Sequence, residues 1–157
     1  IPVSKKGATV WTYIDYTNAN NNAKAYMNNS EEASGLMTGK SWDTVCKWLQ
    51  NSGIDINDST TYGNYANSQS PSNVNGFGYR QVAGYSEYWK VKNIYDLAGN
   101  IWEFINESYI NTNFIVVRGG IFSGDGNDGT ICCRYSYWGM VGGPNPVYGS
   151  RVQLYIK

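Results

Sequence analysis

The side chains best equipped for covalent or metal chemistry in this sequence are the adjacent thiols Cys132 and Cys133. A pair of thiolates is a soft donor set that suits Cu(I) or zinc. Neighbouring residues hold their sulfurs in poor geometry for it, and a disulfide between them needs a strained small ring. The chain contains no histidine at all, which excludes Ser-His-Asp and Cys-His relays and His-ligated zinc or iron. Two thiolates alone do not complete a metal shell, so no metal and no cofactor is expected. The third thiol, Cys46, falls in a helical pattern and reads as a small buried hydrophobe. Three cysteines cannot all pair within one chain, so reduced thiols are the expectation.

Recognition is the other chemistry on offer. The stretch from Ile131 to Arg151, ICCRYSYWGMVGGPNPVYGSR, has neither helical nor strand periodicity, yet it is too aromatic for an ordinary solvated loop. Across the chain fourteen Tyr, six Trp and eighteen Gly accompany abundant Asn and Ser, the palette of antibody-like contact surfaces. Composition alone fits equally a loop-rich β domain that binds nothing. Twelve basic residues balance twelve acidic ones, which argues against a nucleic-acid footprint and a polybasic membrane patch. No run approaches the ~20 apolar residues of a membrane span, and the opening lacks the apolar stretch of a signal peptide. It also lacks Met, so sequence removed from ahead of Ile1 is expected.

At 157 residues the chain suits one domain, 1–157, with a real core. Thr9 to Ile14, β-branched and aromatic, predicts a strand. Asp15 or Thr17 could cap a following helix through Met27, despite its many Asn residues. The clearest helix is SWDTVCKWLQNSG, where Trp42, Val45, Cys46 and Leu49 make one apolar stripe. Ser41 suits its N-cap, Gly53 its left-handed end, and Asp43 can pair with Lys47 at i+4. Trp42 and Trp48 read as core or core edge. From Ile54 to Lys90 periodicity is lost, and TYGNYANS and GFGYR are expected to fold over the core on their aromatics. Trp102 and Phe104 alternate with Glu103 on a strand, where Glu103 needs donors if it points inward. Phe114 to Gly120 predicts a strand ended by two glycines, and Val152, Leu154 and Ile156 an inward-facing closing strand.

Taken in order, NIYDLAGNIWEF, VVRGG and YGSRVQLYI resemble the signature of the C-type lectin fold of formylglycine-generating-enzyme type. SGLMTGKSWDTVCKWLQNSG extends the resemblance back to about Gly35. It implies an α+β fold, two helices around a small twisted antiparallel sheet with extensive irregular loops. The oxidase branch of the family uses two cysteines spaced apart after the Arg-Gly-Gly strand. Here the segment just after Gly120 has none, and the pair that follows is adjacent. The copper-dependent oxidase using Cys132 and Cys133 is therefore the alternative reading. The family also implies a structural calcium, with Asp96 and Glu103 side chains and the Gly99 and Ile101 carbonyls as ligands. The competing reading is that these carboxylates accept backbone hydrogen bonds. The Glu-Pro-Asn type sugar loop is missing, since GPNPV shares only its Pro-Asn step.

The chain is most similar to the branch used as variable proteins of diversity-generating retroelements. In that branch the segment between the Arg-Gly-Gly strand and the last strand is rewritten at adenines and displayed to solvent. Residues 121–148 occupy that position. Ile, Phe, Ser, Asp, Cys and Tyr are reachable from an Asn codon by adenine changes and crowd this window; Trp138 is not. The resemblance implies a non-catalytic binding surface made by Ile121, Phe122, Ser123, Asp125, Asn127, Asp128, Cys132, Cys133, Tyr135, Ser136 and Tyr137, with Trp138, Met140, Val147 and Tyr148 beside them. The fold's stability is assigned to Trp42, Leu49, Trp102, Val116, Val117, Val152 and Leu154. The implied partner is a protein or glycan on a cell surface, with no nucleic acid and no membrane insertion. The implied setting is a virion surface or a bacterial envelope.

Overall fold

The computed structural model describes residues 5–69, 76–108, 114–137 and 144–157. Among these the elements run α1 (Tyr16–Tyr26), β1 (Glu32–Leu36), α2 (Gly39–Asn51), β2 (Lys90–Val91), β3 (Ile94–Tyr95), β4 (Trp102–Ser108), β5 (Ile115–Arg118), β6 (Tyr135–Tyr137), β7 (Tyr148–Ser150) and β8 (Val152–Ile156). A 3-10 turn, Glu87–Trp89, leads into β2.

Asp15 caps α1, its Oδ1 accepting from the Asn18 N–H at 2.8 Å. Asparagines are poor helix formers, but Ala19 and Ala23 are fully buried, and α1 packs closely on β1. Tertiary packing of a small-residue face holds the helix. In α2 the stripe behaves as its spacing predicts: Trp42, Cys46 and Leu49 are buried and Val45 sits at the cluster edge. Its cap lies earlier than expected, at Thr38 in place of Ser41, with Thr38 Oγ1 accepting from the Ser41 N–H at 3.1 Å. Gly53 takes φ +82° just past the end. Trp48 is a correction: it is 47% exposed, because it lies about 120° round the helix from Trp42. Asp43 also departs from expectation, pairing with Arg118 and Arg134 in place of Lys47.

The main sheet has the order β6-β5-β4-β7. Strands β4, β5 and β6 are antiparallel, whereas β7 returns parallel to β4, so the sheet is mixed where an antiparallel one was expected. Register places Phe104 opposite Val117 and Val117 opposite Tyr135. Phe104, Val117 and Tyr135 therefore share one face with Trp102 and Ile115, while Glu103, Ile105, Val116 and Arg118 take the other. The first face meets Ile14, Ala19, Ala23 and Leu36 on the α1 side. The second includes Ile105 and Val116, which meet Trp42, Cys46, Leu49, Tyr65 and Leu97 on the α2 side. With both faces covered, Trp102 through Ile105 are all buried, each large apolar side chain worth about 1.5–3 kcal/mol of transfer free energy.

Two sequence expectations fail here. Thr9 to Ile14 forms no strand. Tyr13 adopts φ +58°, which breaks an extended run, and its N–H donates to Asn145 O at 3.1 Å. The closing strand β8 exists but, among the described residues, pairs only with β1, in a separate two-stranded ribbon. α1 covers β1, not β8, so Val152 is half-buried, Leu154 is 54% exposed and Ile156 is 86% exposed. Leu154 therefore carries little of the folding energy.

In the long segment before β2, Tyr62 and Tyr65 are buried as anchors, but Phe77 and Tyr79 are exposed. The GFGYR part is held by an amide pair. Buried Asn64 accepts from the Gly78 N–H at 3.1 Å and donates to Tyr79 O at 2.8 Å. Buried Asn100 accepts from the Gln81 N–H at 2.9 Å. Lys92 and Asn93, with φ +48° and +69°, make the two-residue turn between β2 and β3.

Candidate functional site

Arg118 ends β5, and Gly119 and Gly120 then turn the chain with φ of +88° and +84°. A Cβ at Gly120 would lie 2.6 Å from the Tyr65 ring and would overlap the carbonyl oxygen of Gly129. Conformation and space both demand glycine. The segment beginning at Ile121 thus leaves the sheet from a rigid turn.

Side chains of the frame hold its backbone. Tyr65 shares one hydroxyl proton between Gly119 O at 2.7 Å and Gly129 O at 2.9 Å, clamping both ends of the loop. Burial drives its phenol far above the ordinary tyrosine range, so it stays a donor. Ser59 Oγ accepts from the Ile131 N–H at 2.9 Å, and Trp42 Nε1 donates to Ile131 O at 2.8 Å. Buried Arg118 donates from Nη1 to Cys132 O at 2.7 Å and pairs through Nη2 with Asp43. The Asp43 carboxylate also takes Arg134 at 2.7 Å, and Arg134 reaches Glu107 at 3.3 Å.

The side chains on this backbone divide. Ser123, Asp125, Asn127, Asp128 and Ser136 are exposed, while Ile121, Phe122 and Val147 are half-buried. Asp125 Oδ1 accepts from the Asn127 N–H at 2.7 Å and from Asn67 Nδ2 at 2.8 Å, which orders the loop tip. Tyr135 is 52% exposed yet stacks on Trp102, with ring centroids 5.3 Å apart and planes at 21°. Tyr148 is half-buried and stacks on Phe104 at 5.6 Å. The Tyr137 backbone pairs with Ile115. The Tyr137 side chain, Trp138 and Met140 lie outside the described residues.

Ile121, Gly124, Asp125, Asp128 and Gly129 of the loop line a half-open cavity of about 260 Å³ with Trp102, Cys133 and Tyr135. A wider groove of about 860 Å³ runs along α2, where Lys40, Asp43, Lys47, Trp48, Glu107 and Arg134 meet. Trp102, Gly124, Gly129 and Arg134 were not among the site residues read from the sequence. Arg134 stands just ahead of β6 in a stretch without strand periodicity, so its pairing with Asp43 carried no local signal. Asn67, which supports Asp125 across 58 residues, carried none.

Cys132 and Cys133, adjacent in sequence, pack into different halves of the core. Cys132 joins the cluster of Trp42 and Cys46, and Cys133 that of Trp102 and Phe104. Cys132 Sγ donates to Ile56 O at 3.1 Å. Burial raises the Cys133 thiol above its ordinary value, helped by Cys132, and it pushes Cys46 up to about 11. Burial thus holds the Cys133 and Cys46 thiols protonated and unreactive at neutral pH.

The calcium ligands implied by the family are only partly engaged, since Asp96 Oδ1 is buried without a hydrogen-bond partner among the described residues. Both Glu103 oxygens accept from Arg151, Oε2 from Nε at 2.9 Å and Oε1 from Nη2 at 2.7 Å. Arg151 Nη2 also donates to the carbonyls of Tyr95 at 3.1 Å and Asp96 at 3.2 Å. Asp96 Oδ2 accepts from the Gly84 N–H at 2.6 Å, and burial raises its pKa. The Arg151 guanidinium thus takes both Glu103 oxygens, which removes that side chain from the implied calcium set and leaves Asp96 Oδ1 as its open carboxylate oxygen.

Frame and loop together define an α+β class of protein: two helices and small, mostly antiparallel sheets presenting a clamped, irregular segment. Among solved structures this arrangement is similar to Treponema denticola variable protein 1, with a TM-score of 0.53 and 18% sequence identity. The match covers 80% of this chain and 49% of that one, so the chain spans about half the length of its neighbour. At that identity the likeness is one of fold. No family model and no curated protein matches the sequence.

Proposed function

We propose that this chain is a non-catalytic ligand-recognition domain, a hypervariable C-type-lectin-fold binding protein of a diversity-generating retroelement. Residues 121–148 would be its rewritten surface. The observation that carries this reading is the split within that segment. Its backbone is clamped by Tyr65, Ser59, Trp42 and Arg118, whereas Ser123, Asn127, Asp128, Tyr135 and Ser136 reach solvent. Side chains that the frame does not need are free to be replaced, and a clamped loop presents each replacement at low entropic cost. The fold likeness to a protein named as variable supports the same reading. The oxidase alternative is disfavoured by the packing of half-buried Cys132 and Cys133 against different core clusters and by the raised pKa of the Cys133 thiol. The ligand in this proposal is a protein or glycan on a cell surface, met by display from a virion or a bacterial envelope.

Sister sequences from one population test it. Differences should concentrate between Ile121 and Tyr148 and spare Gly120, Gly129 and Ile131, whose backbone the frame holds. Variation spread evenly along the chain would sink the proposal.

A further inference from the structure

The cavity of about 260 Å³ beside Tyr135 has a chemical character of its own. Its walls are apolar, formed by Trp102, Ile121, Cys133 and Tyr135, and the stacked Trp102–Tyr135 pair gives it a flat aromatic side. Its charged lining residues are Asp125 and Asp128, with no lysine or arginine among the described lining. Both carboxylates are exposed. Asp125 is partly engaged by Asn67 and the Asn127 N–H, while Asp128 has no hydrogen bond or ion pair among the described residues. The nearby Arg134 cannot balance them, because it is paired with Asp43 and Glu107.

The size is below the 300–1,000 Å³ of typical small-molecule sites, which suits one inserted side chain better than a sugar chain. Apolar walls match the methylene stem of a long basic residue, and a carboxylate rim matches its head. An aromatic face adds cation–π attraction, about 0.5–2 kcal/mol according to exposure. A neutral polar ligand would gain nothing from the Asp128 charge beyond what water already supplies, and an acidic one would be repelled.

We propose that this cavity receives the side chain of an arginine or lysine presented by a protein partner, with Asp128 as the main counter-charge and Trp102 and Tyr135 as the wall. The proposal rests on the recognition reading above and narrows it to a basic residue on a protein.

The test uses the whole chain and three capped tripeptides, Gly-Arg-Gly, its neutral isostere Gly-citrulline-Gly, and Gly-Leu-Gly. Binding is followed by NMR through the Trp102 indole N–H and the Tyr135 ring signals at millimolar peptide. The arginine peptide should shift both signals saturably. The citrulline peptide should bind about tenfold more weakly, the scale of one lost charge contact. Asp128→Asn should bring the arginine peptide down to the citrulline level without moving the thermal midpoint. Equal binding of the arginine and citrulline or leucine peptides would overturn the cation assignment. Silence of both signals to every peptide would overturn it too, as would an Asp128→Asn protein that binds arginine undiminished. None of these results touches the recognition reading, which falls separately if sister sequences are invariant across 121–148.

Discussion

Replacing Asp43 by asparagine would expose the charge balance that anchors the loop. Arg118 is 1% exposed, and among the described residues Asp43 is its carboxylate partner. Its Nη1 is taken by Cys132 O, and its Nε has no partner in the described structure. Asparagine keeps the volume and one carbonyl acceptor but removes the negative charge. Breaking a fully enclosed ion pair costs about 3–5 kcal/mol, because the remaining charge is stranded. Asp43 is itself 51% exposed, so water screens the pair and the expected loss falls to about 2–3 kcal/mol. In a domain of this size that lowers the melting midpoint by about 4–12 °C. Urea unfolding followed by tryptophan fluorescence is the assay, and Trp42, 6.0 Å from the Arg118 guanidinium, is a local reporter. Arg134→Ser removes the other, half-exposed partner of Asp43 and should cost no more than about 1 kcal/mol. The double variant Asp43→Leu with Arg118→Met should recover much of the loss, since no charge is left buried. An Asp43→Asn loss below about 0.5 kcal/mol, or one equal to that of Arg134→Ser, would refute the idea that this pair neutralises a buried cation.

Gly120→Ala should cost about 1–2 kcal/mol for the left-handed backbone alone, and more because its methyl would strike Gly129 and Tyr65; an unchanged melting curve would mean the turn relaxes freely. Glu87 accepts from Lys6, Lys90 and Tyr95, whose hydrogen bonds lower its pKa to about 2. A depressed carboxylate stabilises the fold above its ordinary pKa, and that contribution is lost as pH falls from about 4.5 toward 2. Carbon-detected NMR titration of the Glu87 carboxyl should give a midpoint near 2, with the Gly7 amide, bonded to Ala83 O, losing protection in the same window. A midpoint near 4 would show that solvent screens the cluster.

Much of the frame could be read locally. The stripe of α2, a cap at Asp15 or Thr17, the glycine past Asn51 and the alternation of Trp102, Glu103 and Phe104 are each encoded within a few residues, where periodicity and turn chemistry operate. Glu103 illustrates the limit. Its need for donors was legible, but that Arg151, 48 residues away, would meet it with Nε and Nη2 was not. Trp48, Leu154 and Ile156 were misjudged for a related reason. Hydrophobicity says that a side chain gains by burial, while the neighbouring layer decides whether anything lies over it.

The order of motifs and the apolar stripes were determined by the sequence alone, together with the position of an aromatic, glycine-rich segment between the Arg-Gly-Gly turn and the last strand. Only the tertiary structure decided which parts of that segment are clamped and which reach solvent, that Cys132 and Cys133 turn into opposite halves of the core, and that Tyr135 leans on Trp102 above a carboxylate-rimmed cavity. The physical reason is range: caps, turns and helical spacing act between near neighbours along the chain, whereas burial and charge pairing act between residues that only folding brings together.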